Sequence, residues 1–386
     1  MPGMKIFSGR GYIVRTMIRF TKLARAASAL TTPLAPEDFL ALFNPVYSSR
    51  QLRGVVTRVV HETEDSATIY FRPGNGWHGH QAGQWARIGV ELDGVRQWRS
   101  YSLSNASGHD PAITVKDAGS VSHVLVRDTK PGDVLFLAPP QGDFVLPEHH
   151  RSLLMLTAGS GITPVMSMIR TLIPRRPDAD VVLINSNSTP EASVFREELD
   201  ELADQFPNLQ VRHWFTSVRG RLEFTARTIA DLCPDWRSRA AYACGPEGFL
   251  DDAEELWERE AVLERARTVP SVTAGTSTKE VSTGTLTIER FSTDLTAGAG
   301  HDGGLVTFEQ SDREVQADGD TPLLDIGEDA GILMPSGCRM GICHSCLIPL
   351  RAGQVRDLRT GELHNNPGQL IQTCVSAAAG PVNLDL

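Results

Sequence analysis

Cys338, Cys343 and Cys346 are separated by four and then two residues, and 27 more intervene before Cys374. Four thiolates at that spacing match the plant-type binuclear iron–sulfur pattern, a one-electron carrier whose potential is set by burial, charge and hydrogen bonds to sulfur. A closed zinc site would want a second paired unit near Cys374, which the sequence does not offer. Disulfides are disfavoured because the chain reads as cytoplasmic, where thiols stay reduced. Gly341, between the first two ligands, lets the backbone approach a cluster and aim N–H donors at sulfur. His344 is not a Rieske ligand, since two histidines would have to replace two of the four cysteines, and it reads as a surface or supporting residue.

Two further segments have the composition of anion sites. Leu153 to Ala158 reads as a strand that runs through Gly159-Ser160-Gly161-Ile162-Thr163-Pro164 into a helix. The glycines admit a diphosphate, Thr163 is expected to cap the helix, and Pro164 suits its first turn. A nucleophile elbow centred on Ser160 is excluded because Ala158 stands where glycine is required. Arg99-Ser100-Tyr101-Ser102 offers a cation and an aromatic ring on one face of a strand, with a hydroxyl at its end. Gly119-Ser120-Val121-Ser122, at a helix start, supplies amides and hydroxyls for a second diphosphate. Two anion sites imply two nucleotides. Cys244 follows the apolar strand Ala240 to Ala243 and precedes Gly245-Pro246, a position outside the carboxyl end of a strand where ligands bind. Position alone leaves it balanced between site and packing residue. Cys233, in Asp231-Leu232-Cys233-Pro234, reads as a packed helix end.

The elements that must hold these residues fall into blocks. From Arg53 to about Pro147, short β-rich runs separated by glycine and proline turns predict a small antiparallel β-barrel. Continuous apolar runs at 153–156 and 181–184, with helical stretches between and after them, predict an α/β domain with a parallel sheet. Thr268 to Gly284 reads as a loop, Leu286 to Phe291 as a last strand, and Ala297 to Gly304 as a Gly-rich link into an acidic third domain. The expected division is a basic arm at 1–46, a barrel at 47–147, an α/β domain at 148–291, a linker at 292–303 and a cysteine-bearing domain at 304–386.

The 386 residues carry a net charge of −10, which argues against a nucleic-acid partner. The first 36 residues hold six bases and no acid, so a +6 head precedes a body of −16. Ile13, Met17, Phe20, Leu23 and Ala24 recur at helical spacing there, as in a helix attracted to anionic lipid. The other reading is a solvated terminal arm. The longest apolar candidate, Leu153 to Ile169, is interrupted by Gly159, Gly161 and Pro164, so no spanning segment is expected. The expected location is cytoplasmic, with peripheral contact at the inner membrane face through residues 1–36, and the expected state is a monomer.

With these motifs in hand, residues 47–386 resemble the ferredoxin–NADP reductase superfamily. The similarity is to three-domain oxygenase and desaturase reductases arranged flavin, pyridine nucleotide, then C-terminal plant-type ferredoxin of β-grasp fold. The chain is similar to actinobacterial reductases that serve membrane acyl desaturases, and to the reductase subunit of the phenylacetyl-CoA epoxidase system. The resemblance implies that Arg99, Tyr101 and Ser102 bind the flavin phosphate and ring, with Ser102 near the reactive ring nitrogen, and that Gly119 and Ser122 hold the FAD diphosphate. It also implies that Gly159, Gly161 and Pro164 form the nucleotide loop, and that Cys244, Gly245 and Pro246 lie beside the nicotinamide. Ser102 and Cys244 are then the catalytic candidates. Hydroxyl and basic groups that read NADP in the family correspond to Ser217 with Arg219 or Arg221, which favours NADPH. Asn185-Ser186-Asn187-Ser188 supplies neither an arginine for a 2′-phosphate nor a clear acid for a 2′-hydroxyl, so NADH stays open.

The expected activity is an NAD(P)H:acceptor oxidoreductase that passes electrons through FAD and a [2Fe–2S] cluster, held by Cys338, Cys343, Cys346 and Cys374, to a membrane acyl desaturase. A soluble oxygenase, hydroxylase or epoxidase is the second acceptor reading. A non-catalytic protein that binds a structural metal and senses nucleotide is the reading from another class.

Overall fold

A computed structural model of the chain describes Val46 and residues 51–92, 94–146, 151–267, 284–291, 302–336, 341 and 344–386. The basic arm apart from Val46, most of the 292–303 linker, the 268–283 loop, and the ligand candidates Cys338 and Cys343 lie outside the described residues.

Strands β1 (Arg53–Thr63), β2 (Ser66–Pro73), β3 (Trp85–Leu92), β4 (Val95–Ser102), β5 (Ala112–Lys116) and β6 (Val134–Leu137) form an antiparallel sheet in the order β4-β3-β6-β1-β2-β5. A bridge between Leu103 and Ile113 joins the two edges, so the sheet closes into the expected barrel. Its interior takes Val56, Ile69, Phe71, Ile88, Leu103 and Ile113, with Leu125 from the helical segment after β5 plugging one end. Helix α1 (Ser120–His123) opens that segment.

The second sheet is fully parallel. It contains β7 (Ser152–Ala158), β8 (Asp180–Asn187), β9 (Leu209–Phe215), β10 (Ala240–Gly245) and β11 (Leu286–Arg290) in the order β11-β10-β7-β8-β9. The continuous apolar runs have a simple cause. Leu153, Met155, Val181 and Leu183 pack on one face with α2 (Ile162–Leu172) and α3 (Arg196–Gln205), while Leu154, Leu156, Val182 and Ile184 pack on the other. That second face is covered by α4 (Ala226–Leu232) and α5 (Glu247–Arg267).

In the third domain β12 (Gly304–Phe308) and β13 (Arg313–Ala317) form a hairpin, α6 (Leu323–Asp329) crosses over, and β14 (Leu347–Asp357) follows. Short β15 (Leu363–His364) and β16 (Leu370–Gln372) both pair with β14, and β17 (Ser376–Leu384) lies parallel to β12 at the centre. This is the β-grasp arrangement, its core built from Phe308, Leu323, Leu324, Ile348 and Leu350. Among the described residues no helix is long and apolar enough to cross a membrane.

One buried cation ties the parallel sheet together at its amino-terminal edge. The Arg239 side chain, 5% exposed, bonds Asp180 at 2.6 Å and Asp235 at 2.8 Å. It also donates to the carbonyls of Leu153 and Asp180. Both acids are about half exposed, which discounts the electrostatic loss, but two carbonyls would be left unpaired. Replacing Arg239→Met should cost about 2 kcal/mol, read as a lowered midpoint in thermal denaturation with the cofactor spectrum unchanged below the transition.

Candidate active site

The nucleotide loop is seated where only glycine fits. A Cβ on Gly161 would lie 2.1 Å from the Cys244 carbonyl oxygen and 2.7 Å from the Gly245 nitrogen, and Gly159 has φ +56°. The turn after β7 therefore rests directly on the Cys244-Gly245 backbone at the end of β10. Thr163 does not cap α2 as expected. Its hydroxyl donates to the Ser160 carbonyl at 2.9 Å, and Gly161 occupies the N-cap position. The first amides of α2 are thus uncovered by any side-chain cap, which fits a diphosphate. Pro164 sits in the first turn, as read from the sequence. Lys116, at the end of β5, lines a small recess with Gly159, Ser160 and Thr163, a cation beside the loop that the sequence reading missed.

Strand register brings three groups from three elements together. Cys244 pairs with Glu289 across β10 and β11, and the Ser102 hydroxyl at the end of β4 lies 3.5 Å from Glu289 Oε2. Glu289 was not singled out in the sequence, although an acid inside the apolar run Leu286 to Phe291 was a signal. Burial pushes its carboxyl up to about 8, with the Ser102 hydrogen bond opposing. Burial, then the neighbouring Glu289 carboxylate, pushes the fully buried Cys244 thiol well above its ordinary value. Cys244 is held as a neutral thiol and is no nucleophile.

Arg99 and Tyr101 stand on β4 opposite Ile88 and Ala86 of β3. The Tyr101 ring packs against the barrel core, and burial raises its hydroxyl to about 12, opposed by Arg99. Gly119 and Ser122 frame the start of α1, where the Ser122 hydroxyl donates to the Gly119 carbonyl and accepts from the Ala118 amide. On the far side of the parallel sheet, the Ser217 amide bonds the Ser188 carbonyl and Arg219 lies 5.1 Å from the Trp214 ring centre. Arg221 is committed elsewhere, to Asp252 at 2.7 Å and the Gly248 carbonyl at 2.6 Å.

In the third domain the Cys346 and Cys374 sulfurs are 3.2 Å apart and buried, too far for a disulfide and close enough to bind one iron. The hydrogen bond with Cys374 pulls the Cys346 thiol down to about 6, with backbone amides assisting and burial opposing. Gly341 has φ +72°, and a Cβ there would strike Arg359 Nη1 at 2.4 Å. Its carbonyl accepts from Gln372 Nε2 at 2.7 Å and from Arg359. His344 is exposed and held by Gln372, a surface residue as read. This donor set fits an iron–sulfur centre. The Ser336 carbonyl, two residues before Cys338 in sequence, accepts from Arg87 of β3 at 3.3 Å, so this point of the third domain touches the barrel.

Comparison with known proteins agrees with this geometry. The family model described as the oxidoreductase NAD-binding domain matches residues 155–255, and that of the 2Fe-2S iron-sulfur cluster binding domain matches 306–379. The chain is 46% identical over 373 residues to an NADPH oxidoreductase of Mycobacterium tuberculosis, covering 94% of this chain and 92% of the relative. It is 28% identical to the ferredoxin reductase component of 3-ketosteroid-9-alpha-monooxygenase of Mycolicibacterium smegmatis, covering 78% and 86%. The solved phthalate dioxygenase reductase shares the fold at a TM-score of 0.58 and 23% identity, covering 86% of this chain and 97% of that one. An oxidoreductase that uses FAD, a pyridine nucleotide and a [2Fe–2S] cluster, the chain belongs to the three-domain reductases of the ferredoxin–NADP reductase superfamily.

Proposed function

We propose that this reductase takes electrons from NADPH and delivers them singly to a terminal oxygen-activating enzyme. The observation that carries the reading is the convergence of Ser102, Cys244 and Glu289 where the barrel edge meets the carboxyl ends of the parallel strands. The bound cofactors would supply the redox chemistry, one hydride with its two electrons entering at the flavin and single electrons leaving through the cluster. Membership in a reductase family sets aside the non-catalytic reading.

The chain's own part is positional and protonic. Arg99 and Tyr101 hold the flavin from β4, and Gly119 and Ser122 hold its diphosphate. Gly159, Gly161 and Pro164 seat the pyridine nucleotide, with Gly245 and Pro246 beside it. Cys244 presents a compact, neutral, water-excluding surface to the nicotinamide. Ser102 would bond the flavin edge when FAD is bound, with the protonated Glu289 carboxyl, its Oε2 3.5 Å from the Ser102 hydroxyl, as the nearby proton source. Among the 2′-phosphate candidates Ser217 and Arg219 remain, because Arg221 is held by Asp252. NADPH is favoured over NADH on that ground, supported by the name of the mycobacterial relative. Cys338 and Cys343 complete the ligand set begun by Cys346 and Cys374.

For the acceptor, the +6 head of residues 1–36 supports a membrane acyl desaturase approached at an anionic surface. The 3-ketosteroid monooxygenase component among the relatives supports the second reading, a soluble oxygenase. Reconstitution with each acceptor class under NADPH separates them. If coupling to a membrane desaturase is absent, or deleting residues 1–36 leaves binding to anionic vesicles unchanged, the desaturase reading is overturned.

Two further outcomes are expected. Glu289 holds its proton at neutral pH, so turnover should fall as pH rises through about 8. Glu289→Gln should remove that limb and slow turnover by about a hundredfold. The sign for stability is the same. The folded carboxyl binds its proton more tightly than the unfolded one, so its contribution to stability is full below the ordinary carboxyl value, falls as pH rises towards about 8 and stays lost above it, and the amide removes that dependence. Arg219→Ala should raise KM for NADPH about tenfold with NADH unaffected, whereas Arg221→Ala should leave the NADPH-to-NADH ratio unchanged.

A further inference from the structure

Helix α2 begins at the nucleotide loop, and its polar face is bolted to the barrel. Ser167, Arg170 and Thr171, at spacings of three and four, share that face. Ser167 Oγ donates to the Asn105 carbonyl at 2.6 Å, and Arg170 Nη1 donates to the Ser104 carbonyl at 2.7 Å. The Ser107 amide donates to Thr171 Oγ1 at 2.9 Å. The receiving loop, 104–107, starts two residues after Ser102. It is itself braced, with Ser104 Oγ 2.8 Å from Thr114 Oγ1 and the Asn105 carbonyl 3.1 Å from His80 Nε2.

Arg170 does more than close one bond. Its side chain is 10% exposed, and Nε and Nη2 grip both oxygens of Glu198 on α3 at 2.8 and 2.5 Å. The guanidinium also lies 4.7 Å from the ring centre of Phe195, a non-glycine residue held at φ +60° ahead of α3. One planar cation therefore joins the barrel loop, the nucleotide helix and the next helix of the parallel sheet. Relative motion of domains is the default unless an interface resists it. A forked, charge-assisted set of bonds from a nearly buried arginine resists it with defined direction.

We propose that Arg170 is a positioning residue for hydride transfer, fixing the nucleotide loop relative to the Ser102 end of the flavin strand. Geometry is where such an effect is largest, because small misplacement of reacting partners costs rate without costing binding. The proposal rests on the hydride reaction of the family and not on the identity of the terminal acceptor, which its test omits.

The test uses the full-length holoprotein, mixed anaerobically with NADPH. Arg170→Gln should slow flavin reduction at saturating nucleotide by about tenfold or more, with flavin content and the half-saturating NADPH concentration unchanged. Arg170→Lys keeps the charge but not the fork, and should recover part of the rate. The long-wavelength nicotinamide–flavin absorbance should weaken in the glutamine variant. Amide exchange at Ser107 should quicken in it even without nucleotide. The double variant Ser167→Ala with Thr171→Val removes two of the three bonds without touching a charge, and should slow flavin reduction in the same sense if the glutamine variant does not fold. A reduction rate equal to the parent, or a loss accounted for wholly by missing flavin or a lower melting temperature, overturns the proposal.

Discussion

The site at the carboxyl end of the parallel sheet depends on one close approach, that of the Gly161 backbone to the Cys244 carbonyl. No side chain can intervene, since even a Cβ would overlap the oxygen. Because the loop lies against the end of β10, Cys244 and the uncapped first amides of α2 belong to one rigid unit. Parallel pairing of β10 with β11 then extends that unit to Glu289, and Glu289 reaches across to Ser102 of the barrel. Four segments far apart in sequence are linked by backbone contact and strand register, with side chains needed only for the last step. Preorganisation of this kind suits a reaction in which the protein aligns cofactors and does not itself bond to substrate.

Two clusters of the molecule hold their ionisable groups in opposite states, and the reason is local. Around Cys244 and Glu289 burial dominates and few donors are at hand, so both groups keep their protons. Around Cys346 burial is comparable in kind, but the hydrogen bond with the Cys374 sulfur 3.2 Å away and nearby backbone amides outweigh it, and the thiol is pulled down. Protons are retained in the buried cluster of Ser102, Cys244 and Glu289, and a thiol is pulled down in the domain that matches the iron–sulfur family. The difference arises from hydrogen-bond donors, which strand β10 lacks because its amides are used in the ladder on both sides.

Much of this was legible in the sequence because it was local. The cysteine spacing, the strand–glycine–helix passage at 153–172 and the R-x-Y-S run each declare themselves within about 30 residues, the scale of a supersecondary unit. Glu289 was not legible. The strand itself was legible, but the burial of Glu289 comes from β11 pairing beside β10 and from Ser102 of the barrel, neighbours that the order of the sequence does not show. The Thr163 cap failed for a related reason: the 3₁₀ turn at Gly159–Gly161 places the Ser160 carbonyl within reach of its hydroxyl, so it serves the turn and not the helix end. In the sequence Arg170 is not singled out, and Arg221 is a candidate reader of NADP. Only the fold distinguishes the first, nearly buried between two domains, from the second, spent on an exposed pair with Asp252.

An edge strand is an unexpected place for a buried acid, because β11 has one neighbour and only five residues to pair with it. Alternation along the strand resolves the difficulty. Glu289 and Phe291 face the side where Phe291 joins the core beneath α2, while Leu286, Ile288 and Arg290 face the α5 side. There Arg290 is gripped by Glu247 at 2.7 Å and Asp251 at 2.9 Å, with Glu254 completing the set. Each pair is partly exposed and weak alone, but three acids on successive turns of α5 constrain one guanidinium in position. The tether lies one residue from Glu289 and on the opposite face, so it secures the strand end without adding charge beside the carboxyl. An arginine on the Glu289 face would have favoured the carboxylate and drawn the proton away. Holding the strand from behind preserves both the position of Oε2 beside Ser102 and the neutral state that burial imposes against that hydrogen bond.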